Sequence, residues 1–534
     1  MVYDISTTRT PAAPIGDYIL QLPVYYNPLI AGAAGTPNAA AAQSEILALN
    51  DTQFLVLSRD SLGLGLTTGN SVFKSILLVD TTGATNIAGL ASETAANGSV
   101  TTVGVLNSSI TPVQQVEIVN MLNSTQLAKF GENLNNVAPT RLTLSEKWEG
   151  MALAPVLDEN APQDFFLFVG NDNDFLASNC SVNGQNCSQS VNSDAHVLIY
   201  RLTLPTYVDA QYLAAMNAGG PAMLEMMTQA ALSVGAGNTG NILAQVGTER
   251  RQVHGGAARP TGINAWVQGT YNNDDWTRVA DSTMSGKRDG FRGSFGFDYP
   301  LGESFVGGLA VGYGQQNGKL DNGLQLDADG YSFGGYLGML RDNLYANIGF
   351  SFGQVDVDKM RRPGAYGTTA LGKTSGNTKS YFAEAGYSAQ FDGFRVGPKV
   401  GFYGDNVDLD AYTEAGAAGG NIAVPSQTLQ SSVLGIGGEF QFTDMNSVMP
   451  FVHASYNWQL ESKTRNVTLS LASAQNAMGT QTYAVRSMNE DYVEIGAGIQ
   501  GTVGKAVWNL GYSAQLGMDD RLSHIIRAGV GFAF

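Results

Sequence analysis

Four consecutive residues, Asn171-Asp172-Asn173-Asp174, offer side-chain oxygens at a density that suits a hard cation such as calcium, which takes six to eight oxygen ligands. On an extended run Asn171 and Asn173 face one side, and Asp172 and Asp174 the other, so one ion takes only one of these pairs directly. The same run also suits a turn held by side-chain to backbone hydrogen bonds. Upstream, Arg59 adjoins Asp60. Such a pair either contacts an anionic substrate or forms a buried structural ion pair.

Other reactive types are sparse. Cys180 and Cys187 enclose six residues in CSVNGQNC with no neighbouring histidine; a small disulfide loop is expected in place of a zinc site. The segment RDSLGLG, from Arg59 to Gly65, superficially resembles a serine-esterase nucleophile motif, but Arg59 stands where glycine is needed. Its nearest partners, Asp194 and His196, are one residue apart, so a triad on Ser61 is not expected. The net charge of −17 argues against nucleic acid, which is held mainly by Lys and Arg. Residues 1–205 hold 7 basic and 17 acidic side chains, −10 of that total.

The elements that must position these groups are strands. Charged residues make up only 14% and glycines number 65, a mixture that suits short strands and turns. No stretch reaches the ~20 apolar residues of a spanning helix, so any crossing of a membrane must be by a closed barrel. The C-terminal segment shows how. Ile526, Ala528, Val530, Phe532 and Phe534 alternate with Arg527, Gly529, Gly531 and Ala533, placing an apolar face toward lipid and small or cationic residues in the lumen.

Twelve such segments begin near Ile263, Phe291, Phe305, Tyr331, Leu344, Tyr381, Phe394, Val433, Phe451, Val493, Trp508 and Ile525. Short turns alternate with long connections at 356–379, 408–429 and 461–490, as barrel turns and extracellular loops do. The fold class is therefore all-β, ending in a 12-stranded transmembrane β-barrel over 258–534. Between 206 and 257 the pattern turns helical, with breaks expected at Gly219-Gly220-Pro221 and Gly235-Ala236-Gly237-Asn238. A helix from about Asn238 to Val253 suits the interior of the barrel, where Arg250 and Arg251 can meet the inward-facing Glu384, Glu439 and Glu494. Residues 1–205 contain short strands in groups, as in a partial β-propeller.

Two resemblances follow from these motifs. A helix leading into twelve strands, with AWVQGTY at Ala265–Tyr271 and GFAF at the end, resembles the autotransporter β-domain of type V secretion in Gram-negative bacteria. That resemblance implies an outer-membrane barrel, monomeric in the sense of one chain per pore, embedded in lipid and inserted by the barrel-assembly machinery, which would read Phe532 and Phe534. It also implies a passenger at the cell surface, though the Asn-Asn cleavage motif of self-cleaving members is absent.

The blocks SEILALNDTQFLVLSRD, VFKSILLVDTTGATNIAG, LSEKWEGMAL, FLFVGNDNDF and YRLTLP resemble the esterase-like phytase family, whose domain is a propeller. This implies a hydrolase of phosphorylated small molecules that uses calcium. Within these blocks the catalytic candidates are Glu45, Arg59, Asp60 and Glu149, with Asn171, Asp172, Asn173 and Asp174 as metal ligands. The family's full extent implies that leading blades and an export signal lie upstream of Met1. The rival reading is a non-catalytic adhesin or binding passenger, and a plain pore is argued against by the threading helix.

Overall fold

The structure is a computed structural model that describes residues 1–5, 7–65, 69–94, 100–102, 104–136, 138–173, 181–182, 185–186, 194–257, 259, 261–278, 284–443, 448–474, 478–486, 490–518 and 520–534. Asp174, Cys180 and Cys187 lie outside these residues. The chain divides into two units, Met1–Val208 and Asp209–Phe534, so the helical segment belongs with the barrel.

In the first unit, β1 (Ala42–Ala48), β2 (Gln53–Arg59), β3 (Lys74–Asp80) and β4 (Gln114–Asn120) form an antiparallel sheet in chain order. A second sheet consists of β5 (Trp148–Pro155), β6 (Asp164–Asn171) and β7 (Val197–Thr203). The runs Phe54–Leu57 and Ile76–Val79 do not alternate because both faces of β2 and β3 are covered. Leu55, Leu57 and Ile76 join Trp148, Phe165 and Leu167 of the second sheet in one core. Val56, Leu77 and Val79 pack on the other side with Val113, Tyr18 and Leu20. Each such aliphatic side chain contributes about 1.5–3 kcal/mol by leaving water. The two sheets of three or more strands in this unit are fewer than the four or more blades of a closed propeller, and the described residues form no such ring.

In the second unit, α1 (Ala210–Gly235) and α2 (Gly237–His254) run almost without interruption. Asp209 caps α1 by accepting the Gln211 N–H at 2.8 Å. The expected break at Gly219-Gly220-Pro221 does not occur, and Pro221 lies inside α1. Proline costs about 3 kcal/mol in a helix interior. Burial offsets that cost: Met216, Ala222, Leu224, Met226 and Met227 are all nearly inaccessible. The one interruption is at Ala236.

Twelve strands then close into a barrel. They are β8 (Asn264–Trp276), β9 (Gly286–Leu301), β10 (Phe305–Leu320), β11 (Gln325–Arg341), β12 (Leu344–Pro363), β13 (Thr369–Tyr387), β14 (Phe394–Leu409), β15 (Gln427–Phe442), β16 (Val448–Gln459), β17 (Tyr492–Val503), β18 (Ala506–Leu516) and β19 (Arg521–Ala533). The seam joins the first strand to the last, Asn264 opposite Ala533 through Trp276 opposite Arg521. Outward Val267 and Val530 face each other across it, each about half exposed, as lipid-facing side chains should be. Short turns use residues that accept left-handed backbone, Gly302 at φ 73° and Gly504 at φ 61°. Near these turns Phe391, Phe394, Phe440 and Phe442 form a stack with centroids 4.9–5.1 Å apart, part of an interfacial aromatic girdle.

Several strands begin earlier than alternation alone suggests: β9 at Gly286, β11 at Gln325, β13 at Thr369 and β15 at Gln427. Beyond the lipid belt nothing enforces an apolar face, yet the hydrogen-bonded ladder continues. The 20 residues of β12 are twice the ~10 that a crossing needs. The long connections are also more ordered than loops. Residues 356–379 mostly prolong β12 and β13. Tyr412–Thr413, Ile422–Val424, Thr464–Leu471 and Thr480–Arg486 form a separate four-stranded sheet, packed on α1.

Candidate functional site

The catalytic candidates of the first unit fall into two arrangements. Arg59, at the end of β2, donates from one terminal nitrogen to Glu149 Oε1 at 2.5 Å, from Nε to Ser44 Oγ at 2.8 Å, and to the Asp60 carbonyl at 3.2 Å. It thereby ties β1 to β5. Glu149 remains partly exposed and Arg59 mostly covered. Glu45 is next to Ser44 in sequence but turns back to accept its neighbour's N–H, that of Ile46, at 2.9 Å. Arg59 and Glu149 are brought together; Glu45 does not join them by a hydrogen bond.

Asp60 does something else. Its Oδ2 accepts the N–H groups of Val72 and Phe73 at 2.5 and 2.9 Å, and its Oδ1 accepts Lys74 Nζ at 2.6 Å and the Leu62 N–H at 3.2 Å. Lys74 also donates to the carbonyls of Leu62 and Glu146, each at 2.9 Å. Both side chains are inaccessible to solvent, and burial pulls the Lys74 ammonium below its usual range, with Asp60 opposing. Asp60 is thus a clamp on the loop after β2, with its oxygens bonded to that loop and to Lys74.

The metal candidates divide likewise. Asn171 Oδ1 accepts the His196 N–H at 2.5 Å, and its Nδ2 donates to the Asp194 carbonyl at 3.0 Å, so it fastens the ends of β6 and β7. The Asp172 N–H donates to the Lys147 carbonyl at 2.9 Å. Asp174 is outside the described residues. Among the described residues, no three His, Cys, Asp or Glu side chains converge as metal ligands. Asp172 and Asn173 alone fall well short of a calcium cage.

One pairing escaped the sequence. His196 Nδ1 lies 2.6 Å from Glu132 Oε1, with the carboxylate almost fully covered. Burial raises the Glu132 carboxyl, and His196 opposes the rise. Burial, with Glu132 adding, pushes the neighbouring Tyr200 phenol up to about 12. Asp194 pairs instead with Arg141 at 2.7 Å. The apparent Asp194 and His196 dyad is therefore two separate ion pairs whose partners lie over fifty residues upstream, beyond any local spacing rule.

Inside the barrel, Arg250 and Arg251 both reach Glu439, at 2.8 and 3.1 Å. Arg251 Nε also donates to Gln500 at 2.7 Å. The two guanidiniums lie over the rings of Tyr345 and Phe451 at 4.1 and 4.0 Å. Glu384 instead meets Lys399 at 3.7 Å and Tyr403 at 3.2 Å, and Glu494 meets Arg527 and His453, each at 3.5 Å. The expected pairing of α2 with three glutamates is corrected to one: Glu384 leans toward Lys399 on the next strand, and Glu494 toward His453 on the next strand and Arg527 two strands away. Close fit comes from inward glycine: a Cβ at Gly296 would collide with the Trp266 ring, whose Nε1 donates to Tyr336. At the barrel's end Phe532 and Phe534 make an edge contact 5.3 Å apart, with Phe534 73% exposed.

Comparison with known proteins gives each unit a relation. Residues 265–515 match the family model "Autotransporter beta-domain", and residues 9–175 match "Esterase-like activity of phytase". A protein described as an uncharacterized secreted protein from Arthroderma benhamiae is 32% identical over 184 residues, covering 33% of this chain and 35% of that one. Esterase EstA from Pseudomonas aeruginosa is 26% identical over 203 residues, covering 36% and 31%. The chain thus spans about a third of the length of the curated relatives it matches. Among solved structures, the translocator domain of NalP from Neisseria meningitidis is similar at 19% identity and a TM-score of 0.43, covering 55% of this chain and 97% of that one.

Proposed function

From an autotransporter β-domain in the outer membrane, joined to an N-terminal unit matching the phytase-like family, we propose that the barrel exports and anchors a hydrolase of phosphoric esters. Export rests on the architecture: a helical segment interrupted at Ala236 occupies the lumen, fixed at Arg250, Arg251 and Glu439. The proposed inserter is the barrel-assembly machinery, reading Phe534 and its strand, and the proposed unit is one chain per barrel. The observation that carries hydrolysis is the family match over residues 9–175. In this reading the paired Arg59 and Glu149 share the work, Arg59 toward the phosphate and Glu149 toward proton transfer.

A specific observation favours the second reading, a non-catalytic binding passenger. Arg59 and Lys74 are each already paired with a carboxylate, so neither is a free cation for a polyanion. The test is phosphate release from phytate by intact cells displaying the full chain, with calcium and with a chelator. Release that falls about 10²-fold or more in Glu149→Gln supports hydrolysis. Loss with chelator alone assigns the metal dependence. Surface display without phosphate release under either condition leaves the binding reading.

A further inference from the structure

Among the described residues Lys74 is the only buried lysine, and its partner Asp60 is buried with it. Taking both ions out of water is costly, and their mutual attraction does not always offset the loss. A neutral amine beside a carboxylic acid removes the charges. An amide between them removes the charges for good.

The pair is arranged for that reaction. Lys74 Nζ donates to the carbonyls of Leu62 and Glu146, each at 2.9 Å, and its third direction points at Asp60 Oδ1, 2.6 Å away. Once the third proton has left, that direction holds the lone pair. A carboxyl C–O bond is ~1.23 Å, so Asp60 Cγ lies within ~3.8 Å of the nitrogen, close to the ~3–3.5 Å at which reacting atoms are held for attack. The other oxygen, Oδ2, accepts the N–H groups of Val72 and Phe73 at 2.5 and 2.9 Å. Two backbone donors converging on one oxygen stabilise the oxyanion of a tetrahedral intermediate. Burial pulls Lys74 toward the neutral amine and Arg59, its cross-strand neighbour, adds to the pull, while Asp60 and Glu146 oppose it. Glu146 is itself buried, and its charge acts on Lys74.

We propose that Lys74 and Asp60 condense to an intramolecular isopeptide bond, with Glu146 as the proton carrier, closing the loop after β2 covalently. The ammonium first passes one proton to Asp60 Oδ1. The Nζ lone pair then bonds to Cγ, and the charge that develops on Oδ2 is held by the Val72 and Phe73 N–H groups. Glu146 takes a proton from Nζ and gives it to Oδ1, the Cγ–Oδ1 bond breaks, and one water leaves. Ammonium and carboxylate thus become amide and water, with no oxidant or co-reactant. The amide N–H that remains still has a carbonyl to donate to. Such a link outlasts unfolding, which suits a unit displayed outside the cell, and it does not depend on hydrolysis by that unit.

The test is the mass of the full chain, purified folded and then denatured and reduced. A mass one water below that of the sequence is expected, and Lys74→Gln should restore the missing water. Trypsin locates the link, because Asp60 follows Arg59 and residues 60–129 contain no Lys or Arg besides Lys74 and Lys129. The linked chain should yield peptide 60–129 short of one water, whereas an unlinked chain yields 60–74. Glu146→Gln should slow the appearance of the linked peptide after refolding ~10²-fold. If either variant fails to fold, the wild-type digest decides alone. Full mass with release of 60–74, a missing water that persists in Lys74→Gln, or linkage at the wild-type rate in Glu146→Gln, each overturns the proposal.

Discussion

Asp60 and Glu132 show how differently two acids can be used within one small unit. Replacing Asp60 by Asn strips the fully buried Lys74 of the carboxylate it is paired with. Breaking such a pair costs about 3–5 kcal/mol, so Asp60→Asn should abolish the protease resistance of residues 1–208 in the full chain at mild urea concentrations that wild type survives. Glu132 gives a pH dependence. Its carboxyl is raised above 4.5 in the folded state, so the folded chain binds that proton more tightly than the unfolded one. Stability then rises as pH falls through the raised value toward 4.5, and is lost as pH climbs back. Glu132→Gln should flatten this window in hydrogen exchange measured against pH. Neither role was legible in sequence. Asp60 reads as the partner of the adjacent Arg59, in a buried ion pair or at a substrate, until the next strand brings Lys74 to it, and Glu132 meets His196 only after two sheets have folded.

Among the elements, the helix and the barrel wall are joined at Glu439. Glu439→Gln leaves Arg250 and Arg251 facing each other without a carboxylate, and should lower the melting temperature of the folded band by far more than Glu384→Gln or Glu494→Gln, since neither of those acids touches α2. The expected cost is again about 3–5 kcal/mol. Gly220 makes the corresponding contact at the other end: a Cβ there would lie 2.7 Å from the Leu469 Cδ1 of the outer sheet. Gly220→Leu should expose that sheet to proteolysis on intact cells while leaving the barrel heat-modifiable. Strand count and the lipid face were readable because the membrane imposes a period of two on residues such as Val530 and Phe532. The sheet over the mouth was not, because Thr464–Leu471 and Thr480–Arg486 face water on one side and α1 on the other, outside that constraint. The unbroken helix through Pro221 was hidden for a similar reason: local propensity disfavours it, and only the surrounding lumen holds it straight.

For the whole molecule, the outward face sets the energetics of insertion. Val530→Arg, at the seam, puts a cation on the lipid face and should cost up to about 4 kcal/mol, measured by folding into lipid vesicles across a urea series. Phe534→Ala leaves the strand's lipid face largely intact and should instead reduce the amount of barrel reaching the outer membrane in cells.

The seam has a consequence for timing. Asn264 and Ala533 are paired across nearly the entire barrel sequence, the kind of distant contact that forms late in folding. The helix precedes Asn264 in the chain but lies within the cylinder, and chains do not thread through closed loops after the fact. Latching the last strand to the first must therefore follow the helix's arrival. The finished molecule is a record of that sequence of events, and a chain whose seam latched early would carry its N-terminal unit on the wrong side with no route back.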